Sequence, residues 1–294
     1  MNAKNVIIVA CLIMLCLLVL IFRDDWSGND SAEPEKLATK TLKFVFEVTN
    51  NSNNAVKDSS FSAYLPIISA SQIVDELKVS QEYAIKESED GNRVLESGLG
   101  LMPPYGTKKI TVAAKVSSYS LVPSKVKPQQ VYLDREKYIE IDNPKILSLA
   151  EKLAGNTKAE TASNIFSWLT KNIDDSGYTS QDKGALYVLE SGKGDCTEFM
   201  YLTIALARAN GIYARGVGGY VYSQSSLVKS SDYHNWAELF YDGQWNVIDA
   251  QKKVLLDESG KYISMRYLSD KKLSLLGSSH RFTVVDKNLV VKML

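Results

Sequence analysis

The hydrophobic period of this chain changes twice, and that change limits the folds open to it. From Thr41, Leu42, Phe44, Phe46 and Val48 alternate with Lys43, Val45, Glu47 and Thr49, the period of two expected of a strand with one buried face. The cluster Asn50-Asn51-Ser52-Asn53-Asn54 ends it as a turn. Beyond the break at Pro103-Pro104-Tyr105-Gly106, Ile110, Val112, Ala114 and Val116 alternate in the same way. At Ile146 the period becomes helical: Ile146, Leu147, Leu149, Ala150 and Leu153 form a stripe that stops at Gly155. A second helix is predicted from about Lys158 to Ile173, on Ala162, Ile165, Phe166, Leu169 and Ile173. A third carries Phe199, Met200, Leu202, Thr203, Leu206 and Ala207 and ends at Gly211. Strands, then helices, then strand-like segments at 234–249 give an α+β chain. Residues 41–122 are expected to form a small antiparallel β-sandwich, and 123–294 a second domain.

Outside this pattern lies Val6–Phe22, 17 consecutive residues drawn only from Val, Ile, Ala, Cys, Leu, Met and Phe. At about 1.5 Å per residue the run spans roughly 25 Å, the short end of what crosses a bilayer. No small-residue cleavage site follows it, so residues 1–23 read as an uncleaved signal anchor rather than a removed signal peptide. Lys4 precedes the run and Arg23-Asp24-Asp25 follows it, which favours a cytoplasmic N-terminus. The expected location is a single-pass protein of the cell membrane with its soluble domains periplasmic or extracellular, held away by a polar linker over 24–40. With 34 basic and 34 acidic residues the net charge is zero, and the basic field that a nucleic-acid partner needs is missing.

Three cysteines are present, and only Cys196 lies outside the apolar run. That excludes a disulfide framework and a four-cysteine zinc site, and no Asp/Asn/Gly cluster marks a calcium loop; no cofactor or metal is expected. Cys196 follows Gly192-Lys193-Gly194-Asp195 at the mouth of the third helix, where unpaired N–H groups and the helix dipole are expected to favour thiolate over thiol. The same N–H groups, that of Cys196 first, suit the oxyanion of acyl transfer. Of the two histidines, His234 opens an aromatic segment that ends at Asp242-Gly243, a strong two-residue hairpin signal, while His280 has no partner that the sequence identifies. With Asp242 and Gly243 as the loop, Tyr241 pairs with Gln244 and Trp236 falls opposite Asp249. His234 and Asp249 then share a face as diagonal neighbours, roughly 7 Å apart at the backbone. A thiol, a base and a carboxylate to orient that base are the parts of a nucleophilic triad. Glu198 and Glu238 are alternative orienters.

These residues resemble a known family. Gly194-Asp195-Cys196 opening a buried helix, Ala207-Arg208-Ala209-Asn210-Gly211-Ile212-Tyr213-Ala214-Arg215, Gly218-Gly219-Tyr220, His234-Asn235-Trp236-Ala237-Glu238 and Trp245-Asn246-Val247-Ile248-Asp249 are similar to the blocks of the transglutaminase-like superfamily, over about residues 142–251. The resemblance implies a papain/transglutaminase-like core with Cys196 as nucleophile, His234 as base and Asp249 as orienter. Arg208 and Arg215 match structural positions, and Tyr178 is the candidate for a second oxyanion donor. The implied chemistry is acyl transfer from a protein or peptide substrate, with water as the preferred acceptor. An amine acceptor would make a cross-linking enzyme, and a non-catalytic peptide- or protein-binding module at the cell envelope is the rival of another class.

Overall fold

Alternation at Thr41 grows into the longest strand of the protein because every second residue there finds a dry face. The computed structural model describes residues 33–255, 259–269, 275–276 and 281–294. Its first part is six strands: β1 (Lys36–Asn50), β2 (Val56–Leu65), β3 (Gln72–Val79), β4 (Ala84–Glu87), β5 (Arg93–Met102) and β6 (Thr107–Tyr119). β1 starts at Lys36 rather than Thr41, so residues 36–40, expected in the linker, are strand. Lys40 is buried there and its ammonium donates to the Gly260 carbonyl. β6 pairs antiparallel with β1 from Lys36↔Tyr119 to Thr49↔Thr107, and β3 pairs with the far side of β6. β2, β5 and β4 make a second antiparallel sheet. Phe46 of the first sheet meets Phe61 of the second with ring centroids 4.8 Å apart, and Leu42, Phe44, Leu95, Leu99, Ile110 and Val112 complete the layer between them. Side chains of this size each contribute about 1.5–3 kcal/mol on burial.

The helical part begins at α1 (Pro144–Leu153), where Asn143 caps by accepting from the Lys145 N–H at 2.9 Å and Pro144 takes the position that needs no N–H. α2 (Lys158–Asn172) is capped by Thr157, and α3 (Ala185–Ser191) precedes α4 (Cys196–Ala209). α4 is buried over most of its circumference, with Leu202, Ile204, Ala205, Leu206 and Ala207 fully enclosed by α1, α2, α3 and a third sheet. That sheet runs in the order β9 (Gln244–Asp249), β8 (Tyr233–Tyr241), β7 (Tyr213–Val221), β10 (Tyr262–Leu268), all neighbours antiparallel.

The end of the chain returns to the beginning. β11 (Phe282–Val284) adds to β2, and β12 (Leu289–Met293) adds to β1 on the side away from β6. Ile263 and Met265 of β10 also pack into the sandwich core. The sandwich is therefore made of residues from both sides of the expected division at 122/123, and Pro34–Leu294 form one compact unit. Among the described residues no helix is long and apolar enough to cross a membrane; the apolar run 6–22 and His280 lie outside them. Truncating Phe46 to alanine leaves a cavity between two sheets and is expected to cost about 3–5 kcal/mol in a urea melt; a loss below about 1 kcal/mol would show that β1 does not organise the sandwich.

Candidate active site

The entry to α4 is held by two carboxylates. Asp195 accepts the Thr197 N–H at 2.8 Å, and Glu198 reaches back to accept the Asp195 N–H at 3.2 Å, a complete capping box. The same pair fastens the preceding loop: Asp195 also accepts from the Thr179 N–H at 2.9 Å, and Glu198 accepts from the Lys183 N–H at 3.0 Å. Cys196 is the first residue of the helix and is half-buried.

The hairpin has the register that turn chemistry predicts, with Tyr241 opposite Gln244 and Ala237 opposite Ile248. Asp242 and Gly243 both take positive φ, 53° and 78°, the two-residue turn whose twist matches its strands. Parity then puts His234 and Asp249 on one face, and His234 Nε2 lies 2.6 Å from Asp249 Oδ2, both side chains buried. Asp249 is further fixed by the Lys252 N–H on Oδ1 at 3.0 Å and by the Tyr262 hydroxyl, which donates to Oδ2 at 2.8 Å. Trp236 stacks on the His234 ring at 6.4 Å and meets Tyr262 edge-on at 5.0 Å. The thiol lies against the same strand: the Asn235 backbone N–H donates to Cys196, and Asn235 Nδ2 donates to Thr197 Oγ1 at 2.9 Å. Gly218 leaves room for the side chains of Tyr233 and Asn235, because a Cβ there would collide with the Tyr233 hydroxyl and crowd Asn235 Oδ1.

The other expected residues fall elsewhere. Tyr178 is 89% exposed, and its neighbour Thr179 is bonded to Asp195 beside the thiol. Glu238 is spent on Arg215, 2.7 Å away, whose guanidinium is sandwiched between Trp245 and Tyr267. Arg208 pairs with Glu136 at 2.8 Å and binds the Ala214 carbonyl. Tyr262 and Asn235 were not identified as site residues from sequence; Tyr262 reaches Asp249 only through pairing of β10 with β7. Among the described residues no three of His, Cys, Asp and Glu cluster as metal ligands.

Burial pushes the Cys196 thiol up to about 11, with Asp195 and Asp249 adding to the rise against the Asn235 N–H and Thr197. The helix end and its N–H groups favour the thiolate as expected, but desolvation is the larger effect and the net shift is upward.

Residues 147–250 match the family model of the transglutaminase-like superfamily, and the chain carries a transglutaminase-like domain there. Its fold is similar to that of a candidate cysteine protease from Cytophaga hutchinsonii, at TM-score 0.60 and 18% identity over 89% of this chain and 92% of that one. Weaker likenesses include the periplasmic domain of TgpA from Pseudomonas aeruginosa, at TM-score 0.42 and 18% identity over 78% and 75% of the two chains. A red sea bream transglutaminase matches at TM-score 0.30 and 12% identity, over 74% and 49%. No curated protein matches the chain.

Burial, then the neighbouring Asp195, raises Glu198 to about 7, while hydrogen bonds from Glu198, Thr179 and Thr197 overcome burial and hold Asp195 below its usual range. Of the two carboxyls, Glu198 is the one that titrates near neutrality, and Asp195 is held ionised. A carboxyl raised on folding gives stability that is complete below its unfolded value of about 4.3 and is lost as pH rises through about 7. Wild-type protein is expected to lose stability across that window in urea melts, and Glu198→Gln to flatten the slope; equal slopes would refute the raised Glu198 carboxyl.

Proposed function

We propose that this chain is a thiol acyl-transfer enzyme that hydrolyses peptide or amide bonds. The observation that carries the reading is the buried His234–Asp249 bond of 2.6 Å beside a thiol whose proton burial holds. Cys196 Sγ attacks the carbonyl carbon as His234 removes the thiol proton, so nucleophile formation and attack are coupled. Asp249 Oδ2 holds one imidazole nitrogen, leaving the other for the thiol, and steadies the imidazolium that forms. Collapse of the tetrahedral intermediate returns the proton to the leaving amine; water, activated by the same imidazole, then releases the acid. The Cys196 N–H at the helix mouth is the oxyanion donor this reading assigns.

A thiol at about 11 holds only about 10⁻⁴ thiolate at pH 7 without a base. Iodoacetamide is expected to label Cys196 faster than that fraction allows, and His234→Ala to lower both labelling and amide hydrolysis, the latter by about 10²–10⁴-fold. Labelling that is slow and indifferent to His234→Ala would remove the enzymatic reading and favour the binding module. Free acid as the product at millimolar primary amine supports hydrolysis; an amide product would move the chain to the cross-linking class.

Residues 1–23 are proposed to anchor the enzyme as a single membrane span, with the N-terminus cytoplasmic and the folded part outside, on the strength of the 17-residue apolar run. Protease shaving of spheroplasts should release a fragment from the Thr41–Leu294 part. Protection of that part until the membrane is lysed would reverse the orientation.

A further inference from the structure

A cavity of about 460 Å³ lies along α4 beyond the thiol, and the functional reading above does not use it. Thr197, Met200, Tyr201 and Ile204 form one stripe of that helix. Asn235 ties Thr197 to the strand that touches Cys196, and the cavity opens one turn further, about 5.4 Å along the axis, at Met200 and Tyr201. Its opposite wall is Gly216 of β7 with Arg266 and Leu268 of β10.

That wall is built by a β-bulge. Tyr262 and Ser264 of β10 pair with Val221 and Gly219, but after a register shift Arg266 and Leu268 pair with Gly218 and Gly216. Residues two apart normally share a face, so without the bulge Arg266 and Leu268 would follow Tyr262 to the face that carries His234 and Trp236. The bulge turns them to the α4 face. One strand therefore serves Asp249 with Tyr262 and the cavity with Leu268 and Arg266.

The cavity offers apolar surface to a ligand among side chains whose charges are engaged elsewhere. Met200, Ile204 and Leu268 supply aliphatic and thioether surface, and the stacked rings of Tyr138 and Tyr201, 5.5 Å apart, supply aromatic surface. The charged groups that line it are engaged: Glu136 by Arg208 at 2.8 Å, Asp182 by the Tyr201 hydroxyl at 2.9 Å, Lys137 by the Tyr138 hydroxyl at 2.9 Å, and Arg266 over the Tyr64 ring at 4.8 Å. Arg266 sits two strands from Asn235, through Gly218, roughly 10 Å at about 4.8 Å per strand, and the Asn235 N–H in turn donates to Cys196. An extended peptide covers that distance in about three residues.

We infer that this cavity is a specificity subsite that takes a large apolar or aromatic side chain of the peptide substrate, about three residues from the bond that Cys196 attacks. The inference rests on the proposed peptide-bond chemistry, but its binding test does not require that chemistry to run. The full chain carrying Cys196→Ala is titrated with fluorescein-labelled hexa-alanine and with the six peptides in which Phe replaces one Ala, read by anisotropy. Phe at one position is expected to tighten binding by at least about tenfold over hexa-alanine. Ser180→Trp, at the exposed rim of the cavity, should abolish that preference while leaving hexa-alanine binding unchanged. Gly216→Ala tests the same space from inside, because the added Cβ would lie 2.8 Å from Met200 Sδ and push it inward. No position above twofold, or a preference that survives Ser180→Trp, overturns the subsite. Iodoacetamide labelling of the Cys196 protein separately reports the nucleophile, so loss of one reading is distinguishable from loss of the other.

Discussion

The buried contact between His234 and Asp249 depends on the register between β8 and β9. Strand side chains alternate with a period of two, so a one-residue slip would send His234 or Asp249 to the opposite face and leave a buried carboxylate without its imidazole. Asp242-Gly243 prevents the slip by supplying two consecutive positive φ angles that most residues avoid. Trp236 then fills the space between the His234 ring and Tyr262, so the imidazole is packed from one side and hydrogen-bonded from the other. A local turn thus fixes a contact between residues fifteen positions apart.

Electrostatics at the helix mouth pull in two directions. The end of α4 offers N–H groups and positive dipole to a thiolate, yet Asp195 and Asp249 stand close, and burial removes the water that would solvate the charge. The balance raises the thiol above its usual range. Asp195 and Glu198 bear on the same balance. The raised Glu198 carboxyl lessens the negative charge beside Cys196 below about pH 7, and the Thr179 and Lys183 N–H groups hold both carboxyls in place.

Sequence alone carried the parts that short-range physics decides. The alternation of Leu42 to Val48, the helical stripes, the caps and the Asp242-Gly243 turn are written within a few residues, and β1, α1, α2, α4 and the hairpin followed. What it could not carry is pairing at long separation. Phe282–Val284 and Leu289–Met293 join strands more than two hundred residues away, and nothing in their short apolar runs names β2 or β1 as the partner. Tyr262 was missed for the same reason: its hydroxyl meets Asp249 only after β10 has found β7. The helix end at Cys196 can be read from residues, but the desolvation that outweighs it belongs to the assembled core. Tyr178, proposed from resemblance, lies on a segment that the fold leaves in solvent.

β10 explains why the sandwich and the helical core cannot be separated at residue 122. Ile263 and Met265 pack into the sandwich core beside Tyr220, Tyr262 reaches Asp249, and beyond the bulge Leu268 and Arg266 face α4. Displacing this one strand would open the sandwich, leave Asp249 Oδ2 with one donor fewer, and remove a wall of the cavity. An edge strand normally exposes unpaired backbone groups and invites exchange. Here its outer backbone is engaged: Ser264 donates its N–H to Gln72 Oε1, its carbonyl accepts from Ile67, and Tyr267 donates to Asn92 Oδ1. The sandwich therefore acts as the clamp that holds β10 in register, and through β10 it fixes the position of the carboxylate on which His234 depends.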